Sequence, residues 1–142
     1  MALSWSAARI EGLRHLPWPK VGGKPVDVTD PQGLHVVGDD GEWRHVLKHH
    51  KEFAQTGMLD ALCSTVEDPD FITDDRDPGK KQAYYRPAPF PYKDPLLVKV
   101  VVTLGRSGGR LKTAHIAAGV SPNEGVLWTK PKPPKVVVKG KK

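Results

Sequence analysis

The sequence predicts an α+β fold: two N-terminal helices packed on one face of a mostly antiparallel β-sheet, with a flexible basic C-terminal tail. Three observations predict it. Residues 96–104, LLVKVVVTL, form a Val- and Leu-rich run whose length and β-branching favour a strand. Residues 111–118, LKTAHIAA, alternate in polarity, and the link Arg106-Ser-Gly-Gly-Arg110 between the two runs has hairpin-turn chemistry. Upstream, residues 42–67 switch to helical spacing, so helices come first and an antiparallel meander follows.

Taken in order, residues 6–16 can form a short helix carrying Ile10, Leu13 and Leu16, ended by Pro17 and Pro19. Residues 26–29 are a short strand candidate. Residues 34–37 are a better one, closed by the turn Gly38-Asp39-Asp40-Gly41. The clearest helix is 42–56, with Trp43, Val46, Leu47, His50, Phe53 and Ala54 on one face. Asp40 or Gly41 could cap it and Gly57 ends it. A second helix over 58–67 shows Met58, Leu59, Leu62, Cys63 and Val66, and Pro69 stops it. Short strands follow at 71–73 and 81–86, then an extended proline-rich connector over 87–95. After the hairpin, 126–128 reads as an edge strand. The Pro- and Lys-rich stretch 129–142 is expected to be disordered. This divides the chain into an irregular extension (1–33), a folded domain (34–128) and the tail.

Period 2 sorts the hairpin side chains. Leu96, Val98, Val100, Val102 and Leu104 share an apolar face, opposite Leu97, Lys99, Val101 and Thr103. In the second run Leu111, Thr113, His115 and Ala117 oppose Lys112, Ala114, Ile116 and Ala118. With Lys99, Thr103, Thr113 and His115 on one side, that side becomes a polar floor and the other is left for helices to cover.

At 142 residues the chain holds one core, and its 14 Pro and 14 Gly imply short elements and much irregular backbone. The lone Cys63 excludes an internal disulfide framework and fits a reducing compartment. No run approaches a membrane span and the start lacks a signal-peptide layout, so a soluble cytoplasmic protein is expected. The net charge of +6 is carried by the six lysines of 129–142, which leaves 16 basic and 16 acidic residues in the body. Within the body, 67–77 sums to −5 and 93–112 to +4, so the basic region coincides with the hairpin and suits an anionic ligand.

No metal or cofactor is expected. His45 and His49 stand one helical turn apart, but the intervening residues lack the Glu of a zinc-protease helix and no third ligand is evident. The acidic stretch 68–77 misses the glycine and terminal Glu of a calcium loop. No helix follows the Arg106–Arg110 glycines, so they do not form a P-loop. Its two arginines, with Lys112, could touch nucleic acid.

One ordered set of short motifs runs through 42–128. It comprises Trp43-x-His45, then His50 and Glu52, a helix ending in Asp68-Pro69-Asp70, Tyr84-Tyr85-Arg86, a Val-rich strand with Lys99, and Thr113-Ala114. In this order they resemble the phage-associated branch of the Barnase–EndoU–colicin–RelE (BECR) nuclease superfamily. The chain departs from that pattern in having His50-Lys51-Glu52 in place of a His-Pro-Glu element, and His115 in place of an aromatic. The resemblance implies a metal-independent endoribonuclease in which the ribose 2′-OH attacks its own 3′-phosphate, with RNA as partner and an inhibitor or host protein as a further one. It also implies a toxin or phage effector at work in a host cytoplasm.

Such cleavage needs a proton acceptor, a proton donor and groups that hold the phosphate. His45, off the apolar helix face, is the first candidate for proton transfer; the alternative is a solvated helix histidine. His50 is a site residue by the resemblance and a buried, hydrogen-bonded histidine by periodicity. His115 is either the second acid/base or an exposed strand residue. Arg86 is the candidate phosphate ligand, unless it pairs with the acidic stretch 67–77. Lys99 must face solvent or a partner, because unpaired burial is too costly. Thr113 could donate to a phosphate oxygen or be an ordinary strand threonine. The rival to an enzyme is a non-enzymatic phage or mobile-element protein that uses a degenerate nuclease fold to bind nucleic acid or a host protein.

Overall fold

The computed structural model describes residues 24–89 and 91–131. The expected helix over 6–16 and nearly all of the basic tail lie outside the described residues. The chain forms a hairpin of β1 (Val26–Thr29) and β2 (His35–Gly38), then α1 (Asp40–His49), a 3-10 turn (Lys51–Ala54) and α2 (Met58–Glu67). After the helices come β3 (Phe71–Thr73), β4 (Lys81–Pro87), β5 (Leu97–Gly105), β6 (Gly108–Ala117) and β7 (Val126–Thr129). The seven strands make one sheet in the order β1-β2-β6-β5-β4-β3-β7. The fold is α+β with a mostly antiparallel sheet.

Among the described residues the helices do not come first, however. The β1–β2 hairpin precedes them and joins the same sheet, where β2 runs parallel to β6 through Val36↔Gly109 and Val37↔Arg110. Glycine makes this seam possible. Across it a Cβ on Gly108, at φ +129, would lie 2.6 Å from the His35 carbonyl oxygen and one on Gly109 3.3 Å from Val36 Cγ2; on the other side the Gly109 Cβ would lie 2.5 Å from Val102 Cγ1 of β5. The glycines of the Arg106–Arg110 link therefore belong to β6, and the reversal itself is the two-residue turn Arg106-Ser107.

Period 2 holds along β5 but breaks in β6. Val101 pairs with Thr113 while Val102 pairs with Leu111, so Lys112 is the extra residue of a β-bulge. The bulge moves Leu111 off the polar side, where strict alternation put it, into the main core with Ala114. Lys99, Val101, Thr113 and His115 stay together on the opposite face.

Helix α2 lies across β1, β4 and β5, and α1 lies beside β6. Between helices and sheet, Trp43, Val46, Leu62, Val66, Ile72, Tyr84, Val100 and Leu111 pack as one buried cluster. Each large aliphatic side chain sealed there contributes about 1.5–3 kcal/mol of burial free energy. The cap of α1 is Asp39 rather than Asp40 or Gly41. Its Oδ1 accepts from the Glu42 N–H at 2.9 Å and its own N–H donates to Glu42 Oε1 at 2.8 Å, a reciprocal capping box.

The first helix is also shorter than its apolar spacing predicts. It ends at His49; His50 leaves helical geometry at φ −137, ψ 78, and the 3-10 turn then carries Phe53 into the core. Burial of Phe53 is satisfied by either backbone, which is why spacing alone runs the helix on. Gly57, at φ +89, is not the stop of the first helix but the N-cap of α2.

Candidate active site

The polar face of the sheet is not an open floor. At its centre Ala83, Tyr85 and Val101 form a second small core, closed by Phe71, Leu97 and Val120. An accessible region lies where β6 meets α1. There the bulged strand and the helix border an open cleft of about 820 Å³, lined by Asp39, Gly41, Glu42, His45, His49, His50, Lys112 and Thr113.

The local backbone explains the lining. α1 presents His45 and His49 one turn apart, their ring centroids 4.5 Å from each other. The break at the helix end turns His50 toward β6, where its ring lies 5.3 Å from that of His115 at an interplanar angle of 30°. The bulge leaves Lys112 exposed beside Thr113. Of the three histidines singled out by sequence, His45 and His50 thus line the cleft with Lys112 and Thr113, and His115 lies against His50, outside the lining.

Arg86 is not brought there. It faces the helices, pairing with Val98 in register, and its guanidinium donates to the Ser64 and Asp68 carbonyl oxygens at 3.5 and 3.2 Å and pairs with Asp68 Oδ2 at 3.4 Å. It closes the C-terminal end of α2, which favours a cation there. Arg110 is engaged as well. It donates to both carboxylate oxygens of Glu42 at 2.9 Å and reaches Asp39 Oδ2 at 3.3 Å, locking the start of α1 onto β6. Arg106 stands exposed in the hairpin turn, away from the cleft lining.

Lys99 found its partner inside the protein. Its ammonium lies 2.9 Å from Asp75 Oδ1 and 3.3 Å from Glu124 Oε2, with the side chain 12% exposed. Glu124 Oε1 accepts from Tyr85 Oη and Thr73 Oγ1, each at 2.6 Å. Burial alone would raise the Glu124 carboxyl, but these two hydrogen bonds and the Lys99 charge outweigh it and hold the group below the usual range. Burial, then the Lys99 ammonium, then His50 push the His115 imidazole below its ordinary value, against weaker opposing pulls from Glu52 and Asp75.

Asp75, Glu124, Thr73 and Tyr85 were not assigned to the site from sequence. Glu124 sits in an aperiodic loop and Asp75 in an acidic turn, so neither carries a pattern. The one available signal was Lys99 itself, since a lysine in an apolar strand demands a nearby carboxylate. Among the described residues no group of three or more His, Cys, Asp or Glu is arranged to hold a metal ion. No helix among them is long and apolar enough to cross a membrane. Compared with models of known families, with curated proteins and with solved structures, the chain matches none.

Proposed function

We propose that this chain is a metal-independent endoribonuclease of BECR-like fold, acting in a host cytoplasm as a toxin or phage effector. One observation carries the reading: the end of α1 and the bulge of β6 gather His45, His50, Lys112 and Thr113 around one open cleft, with His115 facing His50. Imidazoles from separate segments can divide the two proton transfers between them. His45 moves one proton, and His50 or His115 the other. Lys112 and Thr113 are placed to hold the scissile phosphate and its developing charge. Arg86 takes no part, and Lys99 does not touch the phosphate. The basic tail adds salt-sensitive affinity for RNA.

The test is cleavage of labelled RNA in the presence of a chelator. The expected products end in a 2′,3′-cyclic phosphate, with activity falling about 100-fold or more in His45→Ala and persisting in Arg86→Ala. Absence of cleavage by the wild type across varied RNAs overturns the reading, as does full activity in both His45→Ala and His115→Ala.

A second reading, a degenerate nuclease fold that binds nucleic acid or a host protein without cutting, is favoured by the state of the cations. Arg86, Lys99 and Arg110 all hold carboxylates, and of the cleft-lining residues only Lys112 is a lysine or arginine. Toxicity on expression that does not depend on His45 is the outcome that selects this reading.

A further inference from the structure

Lys99 stands directly across from His115 in the β5–β6 pairing, on the polar face. Three segments converge on its ammonium. Asp75 comes from the turn after β3, Glu124 from the loop before β7, and the Tyr85 ring of β4 lies 5.5 Å below. Thr73 of β3 steadies Glu124 through its hydroxyl and also accepts the Asp75 N–H at 3.2 Å. Asp75 and Arg76 both occupy left-handed backbone, at φ 51 and 63, a conformation that costs non-glycine residues free energy and persists where surrounding structure imposes it. An ammonium clamped by two carboxylates cannot follow a phosphate into a cleft. It can act at a fixed distance on the imidazole beside it.

The geometry points to Lys99, clamped by Asp75 and Glu124, as the positioning residue that keeps His115 uncharged and so makes it the proton acceptor of the proposed cleavage. This rests on the endoribonuclease reading. Four groups act on His115 from the elements packed around it: Lys99 of β5, His50 at the end of α1, Glu52 of the 3-10 turn, and Asp75. Burial opposes a positive imidazole most, Lys99 and then His50 add to that opposition, and Glu52 and Asp75 favour one. The uncharged ring takes the proton of the ribose 2′-OH as the bond from that oxygen to phosphorus forms. His45 gives its proton to the 5′-oxygen as the bond from phosphorus to that oxygen breaks. The products are a 2′,3′-cyclic phosphate and a 5′-hydroxyl.

The experiment follows the His115 ring protons by NMR through a pH titration of the full chain, with the pH profile of RNA cleavage measured alongside. Lys99→Met shifts the His115 midpoint to higher pH, and Lys99→Arg, which keeps the charge, holds it near the wild-type position. Lys99→Met exposes two carboxylates to the loss of their cation, so Lys99→Met/Glu124→Gln is the fallback if the single variant does not fold. Glu124 is not among the groups that act on His115 directly, so the same upward shift is expected. The acid limb of the cleavage profile moves with the midpoint, and cleavage at about pH 6 falls several-fold while that at about pH 8 is retained. A midpoint unmoved in the folded Lys99→Met or double variant overturns the inference. Failure of the wild type to cut any RNA overturns the endoribonuclease reading instead, and is read independently of the titration.

Discussion

Tyr84 and Tyr85 are neighbours on β4, yet they serve opposite faces of the sheet and make a controlled comparison. Both rings are fully buried, and each hydroxyl donates to a carboxylate: Tyr84 to Asp30 Oδ2 at 2.7 Å, Tyr85 to Glu124 Oε1 at 2.6 Å. Burial first, and the adjacent carboxylate second, raise both phenols far above their ordinary range. What differs is the other side of each carboxylate. Asp30 Oδ1 accepts the Gln32 and Leu34 N–H groups, each at 2.8 Å, and so closes the β1–β2 hairpin with backbone donors. Glu124 answers a cation, Lys99, which stands next to His115. The same device for burying a tyrosine fixes a loop on the helix-covered face and places a charge on the other.

The largest effect that tests this contrast comes from removing each hydroxyl. Tyr84→Phe leaves Asp30 Oδ2 without its phenol donor in a residue only 4% exposed, and should cost about 1–3 kcal/mol. Tyr85→Phe should cost less, because Glu124 keeps Thr73 on Oε1 and Lys99 on Oε2. Urea midpoints of the two variants check the order. Equal losses, or a larger one at Tyr85, would mean that the cation on the polar face does not compensate its carboxylate.

The elements and strand faces behind this contrast were largely legible in the sequence, its two carboxylates were not, and the illegible part has specific physical causes. Alternation along β5 placed Lys99 on the side opposite Val98, Val100 and Val102, as the sheet register has it. The second helix and the short strands at 26–29 and 71–73 were readable because a stop or turn residue punctuates each. The bulge was not, since Lys112 looks like an ordinary outward residue until its pairing is known, and that single insertion reassigns Leu111 to the core. The parallel seam between β2 and β6 joins residues more than seventy positions apart, and only Gly108 and Gly109 hint at the close approach. For Arg86 the strand face follows from Tyr84, and of its two readings the pairing with the acidic stretch 67–77 is the one seen, at Asp68; that it also closes the end of α2 is a tertiary fact.

A second way to sharpen the comparison is pH. On the polar face His115 and Glu124 both have lowered values, so each contributes stability that is present above its ordinary value and lost as pH falls through its folded value. For His115 the loss begins just below its ordinary value of 6.5, because the unfolded ring takes up a proton that the folded one resists. For Glu124 it begins below 4.5, where the folded carboxylate resists a proton that the unfolded one accepts. Urea denaturation at a series of pH values should therefore show two separable slopes. His115→Gln should flatten the upper one and Glu124→Gln the lower. Retention of the upper slope in His115→Gln would assign it to another group and remove the imidazole from the network.

The smallest effects belong to the two arginines that hold the helices rather than the cleft. Arg110 joins the capping box of α1 to β6, but its side chain is 53% exposed, so the pairs with Glu42 and Asp39 are screened. Arg86, at 38% exposed, closes α2 through two carbonyls and Asp68. Arg86→Ala and Arg110→Ala should each cost under about 1 kcal/mol, with the loss at Arg110 shrinking further in high salt. The cleft tells them apart. Arg110→Ala frees Glu42, a lining residue, to bring uncompensated negative charge toward His45 and Lys112, which should weaken RNA cleavage at low salt. Arg86→Ala changes nothing on that side of the sheet, so cleavage should match the wild type at every salt concentration. A cleavage defect in Arg86→Ala with stability intact would show that the helix-covered face communicates with the cleft, and the separation of the two faces would fail.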